Sequence, residues 1–316
     1  MGIRNLALAV ATMASAAAVP SYAQDAEPRI FAMQDSWTLD AGDDYCRLAA
    51  SFTDGDDEIG FALERNRAEN FARLILIGEP LTTYRGTEAL GYSYMPNGTQ
   101  RRAMFLRSET DEGLPYFNLG NVIFGPDPFA RPAAQAAAAP PASPPPAGAF
   151  VVPPYDRQAE REFAAGIDGI AIVDGLRQPV QLDTGNMEAP IEALQACTDD
   201  LLRVWGLDFE KHRSMTRRAS PVGNAWEWLA TGTIGFGDFR LLGGGANPVR
   251  VMVDAQGQPT ACEVHWPSLS ERTNRRICSQ IMENGEFTPA LDADGEAMAS
   301  YWMVDPIFGL VRPFGS

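Results

Sequence analysis

The stretches Pro248-Val-Arg-Val-Met-Val-Asp254 and Pro259-Thr-Ala-Cys-Glu-Val-His-Trp266 decide our prediction for the fold of the C-terminal part of this chain. Both alternate apolar and polar residues, which is the period of a strand with one buried face. Ala255-Gln-Gly-Gln258 lies between them and has the composition of a turn. The sequence therefore predicts a β-hairpin here.

A helix and one more strand are predicted after the hairpin. Ser268-Leu-Ser-Glu271 has the pattern of a capping box, in which the serine oxygen and the glutamate side chain satisfy exposed amide groups. The helix, residues 269–283, carries apolar groups on one side and ends at Asn284-Gly285. A strand at residues 297–304 follows the turn Asp292-Ala-Asp-Gly295. Strand, strand, helix and strand in this order form a compact α+β unit.

The N-terminal half reads mostly as strands and turns as far as residue 124. Strand patterns recur at short, even spacing, which is typical of antiparallel sheets. They lie at residues 36–40, 45–52, 58–64 and 71–77. Beyond Tyr155 we expect a short helix at 157–165 and strands at 167–173 and 179–182.

The clearest helix pattern covers residues 187–205. Its apolar residues recur every three or four positions and form one stripe that we expect to face the core. The stripe consists of Ile191, Leu194, Cys197, Leu201 and Val204. Asn186 is a suitable N-cap and Gly206 a suitable terminator.

Two segments differ in kind from these globular patterns. Residues 1–23 combine Arg4, an apolar run and a small-residue cleavage site at Ala23, which is the pattern of a secretory signal peptide. Residues 131–154 are rich in alanine and proline, and no large apolar residue occurs from Pro132 to Ala149, so we predict a disordered loop there.

Charge excludes some classes of partner. The chain has 316 residues and a formal net charge of −16, which would repel the phosphates of nucleic acids and anionic lipids. We therefore expect no nucleic-acid partner, and no membrane contact once the signal is removed. The sequence also predicts no small-molecule cofactor and no metal, because no Cys/His cluster has ligand spacing.

The four cysteines are Cys46, Cys197, Cys262 and Cys278. An even number of cysteines in an exported chain predicts disulfides. Three pairings can be drawn, and their spacing alone does not choose among them.

Several short motifs resemble catalytic or binding sites. Asp183-Thr-Gly185 follows an apolar strand, as in half of an aspartic-protease site, but that chemistry needs two aspartates and the motif occurs once. We favour helix capping for Asp183. His212 lies in a polar stretch that reads as exposed, and His265 ends a strand, so we expect surface or packing roles for both. Gly243-Gly-Gly245 lacks the residues of a phosphate loop and reads as a flexible lead-in.

The C-terminal stretch resembles the C-terminal domain of TonB-like proteins over residues 232–310. The resemblance rests on Val249-Arg-Val-Met-Val-Asp-Ala-Gln-Gly257, on Cys262-Glu-Val264, on the helix, and on Phe287-Thr-Pro-Ala-Leu-Asp-Ala-Asp-Gly295. Some exported members of that group carry one cysteine in the second strand and another in the helix. The resemblance thus implies a pair between Cys262 and Cys278.

The faces of the predicted elements agree with this pairing. Cys262 shares a strand face with Val264, and Cys278 shares a helix face with Ile277, so both sulfurs should meet between helix and sheet. The remaining pair is then Cys46 with Cys197, which would join the two segments that flank residues 131–154.

We accordingly predict an α+β protein. It would have a signal peptide at 1–23, a mostly-β N-terminal domain with a long helix at 30–220, and a small β-β-α-β TonB-like domain at 226–312. The expected function is non-enzymatic and periplasmic: recognition of an envelope protein, by strand addition to the C-terminal sheet. A TonB-type energy transducer that keeps its N-terminal anchor, and an aspartic-type hydrolase that uses Asp183, are the alternatives.

Overall fold

The computed structural model describes residues 27–126, 155–242 and 246–311. The predicted signal peptide at 1–23, the predicted loop at 131–154 and the glycine lead-in at 243–245 lie outside these described residues. In the described ranges, no helix is both long enough and apolar enough to cross a membrane.

In its described residues, the N-terminal half has ten strands and two helices. Eight strands come first: β1 (Arg29–Met33), β2 (Thr38–Ala41), β3 (Cys46–Thr53), β4 (Glu58–Arg65), β5 (Phe71–Ile77), β6 (Ala89–Met95), β7 (Arg101–Glu109) and β8 (Pro115–Ile123). After the gap in the described chain come α1 (Arg157–Ala165), β9 (Gly169–Asp174), β10 (Val180–Asp183) and α2 (Glu188–Val204).

Nine of these strands close into a barrel. Their order is β1-β10-β9-β6-β7-β8-β5-β4-β3, and β3 pairs again with β1 through Ala32 opposite Thr53. The β1–β10 contact is parallel, with Phe31 opposite Leu182, and the other barrel pairings are antiparallel. Strand β2 lies outside the ring, against the first half of β3.

Large apolar side chains fill the barrel because they alternate along its strands and point inward. The inward set of β4 is Ile59, Phe61 and Leu63, all buried. Ile191, Leu194 and Leu201 of α2 belong to the same apolar cluster, so the helix packs onto the barrel core. Val204 was expected on this stripe, but it is 61% exposed.

The C-terminal part is a smaller unit around its own apolar cluster. Its elements are α3 (Phe209–Arg213), β11 (Ser220–Pro221), 3-10 helices at Ala225–Trp228 and Phe236–Leu241, β12 (Val249–Val253), β13 (Pro259–Val264), α4 (Glu271–Asn284), β14 (Phe287–Thr288), β15 (Ala290–Leu291), β16 (Ala297–Met298), β17 (Ser300–Val304) and α5 (Pro306–Gly309). After β13 come α4 and then the short strands β14 to β17. Strand β12 is central in a three-stranded antiparallel sheet, and β13 and β17 form its edges.

The helix start in this unit differs by two residues from the prediction. Ser270 is the N-cap of α4, and its hydroxyl accepts a hydrogen bond from the amide of Thr273 at 3.2 Å. Ser268 was predicted in that role. The amide of Ser268 instead donates to the side chain of Asn247, which holds the preceding segment in a separate turn.

The sheet of the C-terminal unit contacts the end of α2 and the loop between β4 and β5. Tyr301 of β17 packs with Leu202 and Leu207 at the end of α2. Its hydroxyl accepts a hydrogen bond from the amide of Ala68 at 3.2 Å, in the loop between β4 and β5. One sheet face therefore carries α4, and the other contacts the barrel and its helix.

The predicted α+β class with a long helix is wrong. The chain is mostly β, with a closed nine-strand barrel, small strands in the C-terminal region and only about 23% helix. The predicted helix is present as α2, but it has 17 residues and packs on the barrel without defining the architecture. Closure depends on pairings between strands distant in sequence, which local patterns do not encode. The predicted boundary between domains at residues 220–226 stays a prediction.

Candidate functional site

The four cysteines form two disulfides, in the predicted pairing. Cys46 at the start of β3 is joined to Cys197 in α2, with their Cα atoms 5.9 Å apart. Cys262 of β13 is joined to Cys278 of α4, with Cα atoms 5.5 Å apart. The first bond fixes the helix to the barrel, and the second fixes α4 to an edge strand of the C-terminal sheet.

Asp183 is exposed at the end of β10. Its carboxylate accepts a hydrogen bond from the side-chain amide of Gln181 at 2.9 Å. It makes no hydrogen bond to the helix that follows, so the predicted capping role is not seen. Asn186 performs that role in part, since its side-chain oxygen accepts from the amide of Glu188 at 3.0 Å.

A buried ion pair lies where α1 and α2 cover the barrel. The guanidinium of Arg65, at the inner end of β4, pairs with Glu160 of α1, and both side chains are almost fully buried. Glu160 also accepts from the hydroxyl of Tyr155 at 2.6 Å and from the amide of Gln195 at 2.8 Å. Burial alone would lower the pKa of Arg65, but the Glu160 carboxylate raises it, so the guanidinium stays ionised.

A cavity rich in arginine opens above this ion pair, and we call it the arginine cavity. Its volume is about 330 Å³, and it lies between α1, α2 and the segment from α3 to β11. Its walls include the cationic residues Arg157, Arg213, Arg217 and Arg218, together with Asp199, His212, Tyr155 and the apolar residues Ala68, Leu202 and Met215.

Two of these arginines are paired with carboxylates. Arg157 donates to Asp199 at 2.8 Å, and Arg218 pairs with Glu69 of the loop between β4 and β5. Burial raises the pKa of Asp199, and the charge of Arg157 opposes that rise. Arg217 donates to the carbonyl of Pro289 at 2.9 Å, which leaves its charge without a counter-ion.

His212 is buried in the wall of this cavity, which corrects the expectation that it is exposed. It is 5% exposed, and neither ring nitrogen has a hydrogen-bond partner among the described residues. Burial and, to a lesser extent, the nearby charge of Arg218 lower the pKa of His212 to about 4. The imidazole is therefore neutral at pH 7 and presents one N–H donor and one acceptor.

His265 lies in a second polar group, formed with Asp44 and Glu263, whose potential ligand atoms are within 4.8 Å of one another. This spacing would suit a divalent cation. The guanidinium of Arg250 donates to Asp44 at 3.1 Å and pairs with Glu263, and it stacks 3.9 Å over the ring of Trp205. Since the guanidinium of Arg250 already pairs with both carboxylates, the group serves as a contact between the barrel and the C-terminal sheet.

The edge strand β13 is the remaining candidate surface. It pairs with β12 on one side, and the amide of His265 donates to Pro248 at 2.9 Å. Because ladder bonds alternate along antiparallel strands, the amides of Cys262 and Val264 point away from β12. Within the described ranges no strand pairs with this outer side.

Sequence reasoning missed the arginine cavity. Lys211-His-Arg-Ser-Met-Thr-Arg-Arg218 is a cationic run in a chain with 25 basic and 41 acidic residues, which was the available signal. The run alone does not show that it faces Arg157 and Asp199, because those residues lie more than ten positions away. It also does not show that His212 turns inward.

No family model, curated protein or solved structure matches this chain.

Proposed function

We propose that this protein is a non-enzymatic, exported binding protein whose C-terminal unit is TonB-like and recognises a polypeptide of the cell envelope. The partner adds a strand to the outer side of β13. Main-chain hydrogen bonds supply the affinity in this mode of recognition, so it requires no catalytic residues. The observation that carries the proposal is the outward direction of the Cys262 and Val264 amides on an edge with no partner strand in the described chain.

The exposure of β13 supports its choice over the other edge. Thr260, Ala261 and Glu263 are exposed along β13, whereas Ser300 and Tyr301 of β17 are buried. The partner would therefore meet little obstruction at β13 and considerable obstruction at β17.

Other features of β13 limit what can bind. Proline begins the strand at Pro259, and the register with β12 shifts between Met252 and Val253. Both features are common protections of an edge against uncontrolled pairing. The strand is also held to α4 by the bond between Cys262 and Cys278, so the edge is preorganised and loses less entropy on binding.

The disulfides and the signal pattern support the compartment that we propose. Two disulfides persist in an oxidising environment, which supports export and, with the signal peptide predicted at 1–23, a periplasmic location. The acidic charge of the chain disfavours nucleic acid as the partner.

Site-directed photocrosslinking in intact cells tests this function. A benzophenone side chain at Ala261 of β13 should yield one discrete protein adduct, identified by mass spectrometry. The same probe at Met104, which is 60% exposed on the barrel strand β7, serves as the matched control. An adduct at Ala261 alone supports the proposal, while equal adducts at both positions, or none at Ala261, contradict it.

A further inference from the structure

The charge of the arginine cavity is opposite to that of the chain as a whole. Four arginines line it against Asp199, and Glu69 pairs with Arg218 from outside, so four cations and two anions leave a local charge of +2. The whole chain carries −16. Arg213 and Arg217 have no ion pair within the described residues, and both are exposed at the cavity.

His212 contributes only its ring to the cavity wall. Both of its nitrogens are closed to solvent as well as unpaired, so neither can reach a molecule in the cavity. The hydrogen-bond donors that face the cavity are therefore those of the arginines.

The walls also offer an apolar surface beside the cations. Ala68, Leu202 and Met215 line the cavity together with the arginines. A volume of about 330 Å³ is at the lower end of the range for small-molecule sites. Its occupant is thus compact, and it presents acceptor oxygens at one end and apolar atoms at the other.

We propose that the arginine cavity binds a small oxyanion, a phosphate or carboxylate group carried on a compact apolar body. The guanidinium groups of Arg213 and Arg217 hold the oxyanion by charge-assisted hydrogen bonds. Met215 and Leu202 contact the apolar body. This site is separate from the β13 edge and does not depend on it.

Isothermal titration calorimetry on the purified protein tests the site, with phenyl phosphate, benzoate and neutral benzyl alcohol as probes. We expect saturable binding of one phenyl phosphate or benzoate per chain and no binding of benzyl alcohol. The tighter of the two anions identifies the head group. Absence of saturable binding of both anions would overturn the proposal.

Variants locate the binding site. Arg213→Gln combined with Arg217→Gln should weaken anion binding at least tenfold. Arg203→Gln is the matched control, because Arg203 is exposed, pairs with Asp200 and does not line the cavity. An equal loss in the control would show that only overall charge is sensed, which contradicts a built site.

Discussion

The ring of His212 stacks on the ring of Tyr301, with centroids 5.8 Å apart and planes 9° from parallel. His212 belongs to α3, after the barrel helix, and Tyr301 to the edge strand β17 of the C-terminal sheet. Tyr301 also contacts Trp205 edge-on, at 5.3 Å. These rings lie at the junction of the two apolar clusters, so the junction is a packed contact and includes a titratable group.

The two buried histidines predict that the folded protein loses stability in acid. The pKa of His212 and the pKa of His265 are both lowered by burial to about 4, against 6.5 in the unfolded chain. Below pH 6.5 the unfolded state binds these protons first, so stability is greatest above pH 6.5 and falls as the pH approaches 4. We expect a loss of roughly 3 kcal/mol per histidine at pH 4.

Urea denaturation at a series of pH values measures this loss. His212→Phe should remove about half of the pH dependence between 6.5 and 4, because His265 continues to titrate. It should leave the free energy of unfolding at pH 7 equal or higher, since an unpaired buried polar group is lost. An unchanged pH profile would show that His212 is protonated normally and is not buried as described.

Because the ion pair between Arg65 and Glu160 is buried, we expect a substitution that removes only the charge of Glu160 to lower the stability of the protein strongly. Glu160→Gln leaves the guanidinium buried without its counter-charge, which should destabilise the protein by about 3 kcal/mol or more. Glu162→Gln on the same helix is the control: its side chain accepts from Gln158 and is exposed, so the effect should stay within about 0.5 kcal/mol. Equal effects in thermal or urea unfolding would argue against the buried pair.

The two disulfides should contribute unequally to stability. The bond between Cys46 and Cys197 spans 151 residues, and that between Cys262 and Cys278 spans 16. In the chain-entropy description, replacing each pair by alanine costs about 5 and about 3 kcal/mol, respectively. Urea unfolding of the two double variants measures the difference. A larger loss of stability on removal of the Cys262–Cys278 bond, which closes the shorter loop, would contradict this expectation.

The hairpin turn requires a glycine at position 257. Its φ is +84°, and an added Cβ would lie 2.1 Å from the carbonyl oxygen of Phe287. Gly257→Ala should therefore cost roughly 3 kcal/mol or more, from backbone strain and a steric clash. Gly295 has φ of +80° but open space around it, so Gly295→Ala should cost only about 1 kcal/mol. Similar losses in thermal unfolding would show that the turn does not pack on Phe287.

Local elements could be predicted from the sequence because their signals are local. The alternation in Val249–Val253 and Pro259–Val264 and the helical stripe of Glu188–Val204 place those elements within a few residues of where they lie. The barrel could not be predicted, because its closure rests on Phe31 meeting Leu182, some 150 positions away. Nothing in the pattern around β1 distinguishes a parallel partner from an antiparallel one.

The candidate sites also differ in whether the sequence could predict them. The pairing of Cys262 with Cys278 was implied by the resemblance to TonB-like domains, and it agreed with the strand and helix faces, which are periodic features of the sequence. The arginine cavity did not, because it requires that Arg157 and His212 meet across α2. A histidine in a cationic stretch suggests exposure, and tertiary packing reversed that expectation.

Amide hydrogen exchange at Cys262 and Val264 tests the central claim most directly. The exchange of these two amides would be followed by NMR in the free protein and in complex with the partner captured at Ala261. The account predicts at least a tenfold slowing of exchange at both amides in the complex, with little change at Arg250, which already lies in the central strand. Unchanged exchange at Cys262 and Val264 with the partner bound would contradict strand addition at this edge.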